Sequence, residues 1–278
     1  IQEELARRLG RERCSRLEWP AHYDKATDVA MVEGPTLPEL VAAANPWPIE
    51  GIFEVGDIED QIRSFYHHGA RPGVLPGWPI MDEFYRVRPG ELTLITGLPG
   101  HGKSEWLDAL LVNLARMYGW RFAVCSPENQ PIEQHFAKIA EKYCGQPFAD
   151  YRDKGKTVPR MSLDESRHAI EWAKNHFTFV LPPDEELSVD GILQRAKALV
   201  FRHGIKGLVI DPWNQLDHFV DETRMREDQY LSRALGMISR FGKRNGVHIF
   251  IVAHPKTLQK GKDGKYMPPV PYDVSGGS

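Results

Sequence analysis

Gly97-Leu98-Pro99-Gly100-His101-Gly102-Lys103-Ser104 fits the pattern G-x-x-x-x-G-K-[ST] at every fixed position, and no other stretch of this chain narrows the fold so far. Leu92 to Thr96, LTLIT, is a short apolar run rich in β-formers, and Glu105 to Met117 reads as a helix. A strand that feeds a helix through a glycine-rich turn is a cradle for polyphosphate. Small residues let backbone N–H groups approach the anion, and the helix N-terminus adds favourable partial charge. The spacing therefore predicts a bound nucleoside triphosphate, ATP or another, along the whole loop. Lys103 is expected to reach the β- and γ-phosphates and the Ser104 hydroxyl to bind Mg²⁺. A glycine-rich turn of chance composition is the bland alternative, and the flanking strand and helix weigh against it.

The pattern beyond the loop predicts an α/β fold. Apolar runs at Leu92 to Thr96, Phe122 to Cys125, Phe177 to Leu181, Leu208 to Ile210 and Val247 to Ala253 alternate with helical stretches. Those stretches are Ile132 to Tyr143, Leu163 to Asn175, Val189 to His203 and Gln229 to Arg244. Such alternation argues for a largely parallel sheet covered on both faces, with ligands beyond the carboxyl ends of its strands.

The other strand ends carry polar groups suited to that site. Asp211 follows Leu208 to Ile210, where a carboxylate can hold Mg²⁺ through its water shell. Glu128 follows Phe122 to Cys125 and could activate the attacking water; its alternative is a helix-N-terminal Glu stabilised by the macrodipole. His254 leaves the strand Val247 to Ala253 at a position from which it could sense the γ-phosphate, although a lone His is more often structural.

Composition sets the limits. The chain has 278 residues, 41% hydrophobic content and a net charge of -3, enough for one large domain with an appendage and against a uniformly basic surface. Contact with nucleic acid would need a local patch. Lys256 to Lys265, KTLQKGKDGK, has four Lys against one Asp, and a solvated surface loop is the competing reading. No apolar run nears the ~20 residues of a bilayer span. The charged first residues lack an initiator Met and a signal-peptide core, and read as the start of a fragment. Cys14, Cys125 and Cys144 fit no metal or disulfide spacing, which suggests a reducing compartment and buried or incidental thiols.

Ahead of the core, residues 1 to about 45 read as a small α/β tail, with helices around Leu5, Leu9 and Leu17 and at Leu37 to Ala44. Ile52 to His67 places Ile52, Val55, Ile58, Ile62 and Phe65 at helical spacing, a stripe that must bury itself against something. Gly69 to Pro79, rich in Pro and Gly, is expected to isolate that helix from a core beginning near Ile80.

Taken in order, GELTLITGLPGHGKS, CSPEN, LVIDPWNQL, HIFIVAHPKTL and PYDVSGGS resemble the core of the DnaB and Twinkle superfamily of RecA-like replicative helicases. The likeness covers most of residues 80–278 and is nearest to the phage-type primase-helicase and Twinkle-like branch. It implies a RecA-like P-loop NTPase with Glu128 as catalytic glutamate, Asp211 as Walker B aspartate and His254 as γ-phosphate sensor. It also implies that the lysine loop grips single-stranded DNA. Lys256 matches by its position two residues after the His, and Lys260, Lys262 and Lys265 match only as charges in the same loop. WPAHYDKATDVAM within residues 1–45 resembles the tail of a Toprim domain, and residues 46–79 the linker whose helix joins neighbouring protomers into a hexameric or heptameric ring. Two departures follow. A Toprim metal centre would precede Ile1, and the family's last core strand and arginine finger would follow Ser278.

The resemblance implies an ATP-driven 5′→3′ DNA helicase, cytoplasmic in a bacterium or phage-infected cell, or in the mitochondrial matrix if organellar. A RecA-like recombination ATPase and a small-molecule phosphotransferase are the alternatives. Trp213 and Tyr266 could stack on bases, with buried packing the stronger expectation for the Trp.

Overall fold

The computed structural model describes residues 2–10, 13–16, 36–47, 49, 51–70, 72–183, 186–216, 227–255, 260, 266, 267 and 269. Its contacts divide the chain into two units, Ile1–Arg71 and Pro72–Ser278.

The first unit contains helix α1 (Gln2–Leu9), strand β1 (Ser15–Arg16), helix α2 (Thr36–Ala42) and strand β2 (Asn45–Pro46), which pairs antiparallel with β1. Helix α3 spans Glu59–His68 and follows a 3₁₀ turn over Val55–Ile58. It is shorter than the helix expected from Ile52. Glu54 and Asp57 satisfy each other's backbone N–H groups in a capping box, which starts the helical segment after Phe53. The apolar stripe stays open to solvent, with Ile62 45% and Phe65 63% exposed.

The second unit begins earlier than the periodicity suggests. Val74 and Val87 exchange both backbone hydrogen bonds, and Asn113 Nδ2 donates to the Pro76 carbonyl, so Pro72 to Pro79 is tied to the core rather than looping away from it. Its elements run α4 (Pro79–Asp82), β3 (Leu92–Ile95), α5 (Lys103–Tyr118), β4 (Phe122–Cys125), α6 (Ile132–Cys144), β5 (Tyr151–Asp153), β6 (Lys156–Val158), α7 (Leu163–His176) and β7 (Phe177–Phe179). Then follow α8 (Val189–His203), β8 (Gly207–Ile210), α9 (Glu227–Asn245) and β9 (His248–Val252). Five strands form one parallel sheet in the order β3-β9-β8-β4-β7. The expected class and strand direction are therefore present.

Alternation along each strand explains the layers. Ala123 and Cys125 of β4 pack with Leu208, Ile210, Ile249 and Ile251 toward α8 and α9, around Ile192 and Ile238. Phe122 and Val124 face the other way with Val209, Phe250 and Val252, against Leu107, Leu111 and Leu114 of α5. With both faces covered, β4, β8 and β9 are buried at every position.

The hairpin β5–β6 was not foreshadowed. Lys154 and Gly155 at its turn both have positive φ, +47° and +78°, as a tight hairpin of this twist requires. Its strands are mostly exposed, so no alternation marks them in the sequence.

Candidate functional site

Register decides what meets at the carboxyl edge of the sheet. Ile95 lies opposite Val252, Ile251 opposite Ile210, and Ile210 opposite Cys125. The segments leaving these four strands carry the glycine-rich loop, His254, Asp211 and Glu128, so neighbouring strands deliver all four to one edge. The Asp211 N–H donates to the Cys125 carbonyl at 2.9 Å, and the Ala253 N–H to that of Ile95 at 2.9 Å, which extends the ladder to the site itself.

The loop turns into α5 through two glycines in the left-handed region. Gly100 and Gly102 have φ of +75° and +79°, and a Cβ on either would meet nothing within 4 Å. Backbone conformation rather than lack of room therefore calls for glycine there. Helix α5 begins at Lys103, so the unpaired N–H groups of its first turn adjoin the loop. The Lys103 ammonium folds back and donates to the carbonyls of Gly97 and Leu98, 3.1 Å from each. Leu98, Pro99 and His101 supply the rest of the turn.

Asp211 is only 3% exposed. Burial pushes its carboxyl above the ordinary range, against a lowering hydrogen bond from the Ser104 hydroxyl, while Asp108 and Glu128 raise it further and His135 lowers it. A buried carboxylate joined to a hydroxyl offers hard oxygen donors, which fits Mg²⁺ completed by phosphate oxygens and water. Among the described residues no group of three His, Cys, Asp or Glu forms a metal cage, and a magnesium ion held this way needs none.

Glu128 and His254 approach each other at this edge. The His254 Nε2 lies 3.7 Å from Glu128 Oε1, within ion-pair range and too long for a hydrogen bond. Both side chains remain partly open to solvent, at 35% and 43%.

The polar residues that hold these groups escaped the sequence reading. Gln215 Nε2 donates to Glu128 Oε1 at 3.1 Å, and Asn214 Oδ1 accepts from the His254 N–H at 2.7 Å. Asn129 donates to Ser126 Oγ at 2.8 Å and accepts from Lys138 at 3.0 Å, which braces the turn that carries Glu128. The strings CSPEN and LVIDPWNQL contain all of them but Lys138, and only three-dimensional placement says which amide meets which carboxylate.

Lys256, Lys262 and Lys265 lie outside the described residues. Lys260 is exposed, bridges Tyr266 through the backbone, and sets its ammonium 5.0 Å from the centre of the Tyr266 ring. Trp213 is buried at 3%, as core packing requires. Among the described residues the three cysteines are free; burial pushes the Cys125 thiol up to about 12, which keeps it protonated and inert. No helix among the described residues is long and apolar enough to cross a membrane.

Comparison with known proteins bears on this arrangement. No protein-family model matches the chain. Over 285 aligned residues it is 44% identical to the Twinkle homolog protein, chloroplastic/mitochondrial, of Arabidopsis thaliana, an alignment that takes in 99% of this chain. The chain is Twinkle-like along almost its entire length. It spans 39% of that relative's length. A shorter likeness, 43% identity over 56 residues, links it to the primase homolog protein of the same plant and covers 18% of this chain and 17% of that one. A solved KaiC-like protein from Pyrococcus horikoshii superposes with a TM-score of 0.45 at 16% identity, over 66% of this chain and 70% of that one, too slight a likeness to argue from. In this Twinkle-like chain the glycine-rich loop, both acidic residues and the histidine thus occupy one edge of one sheet.

Proposed function

We propose that the chain is the motor segment of a replicative DNA helicase of RecA-like type, which couples ATP hydrolysis to 5′→3′ movement on single-stranded DNA. The observation that carries this reading is the convergence of Lys103, Ser104, Glu128, Asp211 and His254 at one strand edge, in a chain 44% identical to a Twinkle homolog.

In this reading Lys103 leaves the Gly97 and Leu98 carbonyls for the β- and γ-phosphates, which the loop amides cradle. Mg²⁺, held by Ser104 directly and by Asp211 through water, would neutralise charge developing on the phosphate oxygens. Glu128, kept in place by Gln215, orients and deprotonates the attacking water. His254 reads the γ-phosphate and passes its state to the segment holding Lys256, Lys260, Lys262 and Lys265, whose charges grip the DNA backbone. The exposed stripe on α3 supports a ring in which the segment carrying α3 links neighbouring protomers, a hexamer in the first instance, with residues 1–45 as a Toprim-like tail and the second unit, from Pro72, as the core. Of the compartments expected from the sequence, an organelle accords with the plant relative's name.

The test is ATP turnover with and without single-stranded DNA. Lys103→Ala and Glu128→Gln should each remove the DNA-stimulated component, with Glu128→Gln still binding nucleotide. Undiminished turnover in Glu128→Gln would reject the assigned base, and turnover indifferent to DNA would favour a small-molecule phosphotransferase.

A further inference from the structure

One turn beyond Ser104, α5 carries Asp108, whose carboxylate lies in the protein interior. Its Oδ1 is 3.1 Å from Nε2 of His135, on the first turn of α6, with the side chains 5% and 3% exposed. The other oxygen, Oδ2, is buried with no hydrogen-bond partner. The His135 ring stands edge-on to Phe179 at the end of β7, 5.4 Å between centroids.

Stability does not account for such a pair. An unsatisfied buried oxygen costs about 1–3 kcal/mol, more if charged, and well-packed apolar residues often do better than a buried ion pair. Nor is the pair needed merely to join the helices. Glu105, three residues earlier, already binds Lys142 at 2.5 Å and Lys138 at 3.2 Å on α6, and apolar contacts run alongside. The location is what distinguishes it. Asp108 and His135 both lie within electrostatic reach of Asp211, which shares a hydrogen bond with Ser104. They also join the helix that starts with Lys103 and Ser104 to the helix that follows Glu128.

We propose that Asp108 and His135 form a buried positioning pair for the Ser104–Asp211 cation site, fixing the first turns of α5 against α6 and supplying a negative charge within electrostatic reach of Asp211. The inference rests on the nucleotide-and-magnesium reading above and adds to it two residues that touch neither ligand. The contact between Nε2 of His135 and Oδ1 of Asp108 holds the Asp108 carboxylate in one orientation. With Glu128, Asp108 gives Asp211 a second acidic neighbour, an arrangement that favours a cation there.

Equilibrium binding of a fluorescent ATP analogue to the whole chain, titrated with MgCl₂ and repeated in EDTA, tests this. Asp108→Asn keeps the shape and removes the charge. It should raise the Mg²⁺ midpoint about tenfold, the usual effect of losing an outer-shell partner, while affinity in EDTA stays within about twofold. His135→Gln, which retains a donor at the Nε2 position, should behave like the parent, and His135→Ala like Asp108→Asn. Equal changes with and without Mg²⁺, or no change in either, would overturn the proposal. If Asp108→Asn fails to fold by circular dichroism, the two His135 variants decide, and equal Mg²⁺ midpoints for them reject the pair. A parent chain whose nucleotide binding ignores Mg²⁺ would instead overturn the cation site itself, and the pair's role with it.

Discussion

At the scale of single residues, the site is defined as much by amides as by charged groups. Glu128 alone at the end of β4 would swing freely, since 43% of its side chain is open to solvent. Gln215 gives it one fixed hydrogen bond, and Asn214 fixes the backbone of His254, so the segment after Asp211 holds both of its neighbours. Gln215→Ala should therefore lower kcat for ATP on the order of tenfold, a fraction of the ~10²–10⁴ that a well-placed base contributes. The nucleotide KM should stay unchanged, because Gln215 is not in the phosphate loop. Steady-state kinetics at saturating DNA separate the two, and a rise in KM with constant kcat would place Gln215 in binding instead.

At the scale of elements, the sheet depends on close approaches and on one neutral histidine. A Cβ at Gly207, where β8 begins, would stand 2.4 Å from Cδ1 of Phe122 and 2.6 Å from its Cε1, and that ring is fully buried. Gly207→Ala should cost about 1–3 kcal/mol, the range for forcing volume into a packed core, and should lower the urea midpoint without changing its slope. His248 opens β9. Its Nδ1 donates to the Arg88 carbonyl at 2.6 Å, and its Nε2 meets Thr93 Oγ1 at 2.9 Å, which in turn meets the Tyr85 hydroxyl at 2.8 Å. Burial lowers its pKa, outweighing the Arg88 hydrogen bond and Glu91, which raise it. A depressed folded pKa means stability that is present above the unfolded value of 6.5 and lost as pH falls through the folded one. The melting temperature should drop between pH 7.5 and 5.5, and His248→Gln should flatten that part of the curve; an identical slope in the variant would assign the acid sensitivity elsewhere.

At the scale of the whole molecule, the two units have different needs. The second has a core on both faces of its sheet, whereas α3 in the first has none of its residues buried. An apolar stripe left open is the mark of a surface meant for a partner, and in the proposed ring that partner is another copy. Phe65→Asp should then shift the protein from ring to monomer in light scattering, while the melting temperature of the core unit stays where it was. Rings that survive the substitution would move the interface away from α3.

The glycine-rich loop, the apolar strands and the acidic residues at their ends were legible in the sequence because each obeys a local rule. Phosphate binding demands small residues before a helix, and a doubly covered strand demands an apolar run. Glu128, Asp211 and His254 could be singled out for the same reason, as polar groups just past such runs. Local rules did not reveal that Gln215 reaches Glu128 across 87 positions, nor that Asp108 and His135 meet in the interior. A buried Asp at the fourth position after Ser104 and a His on a neighbouring helix look in the sequence like any two polar residues. The start of α3, the exposed hairpin and the early edge of the core were hidden likewise. The sequence by itself determined which polar groups stand just past the ends of the apolar strands; the parallel register of β3, β9, β8 and β4 decided which of them meet, because hydrogen bonds between distant strands set distances that no local spacing encodes.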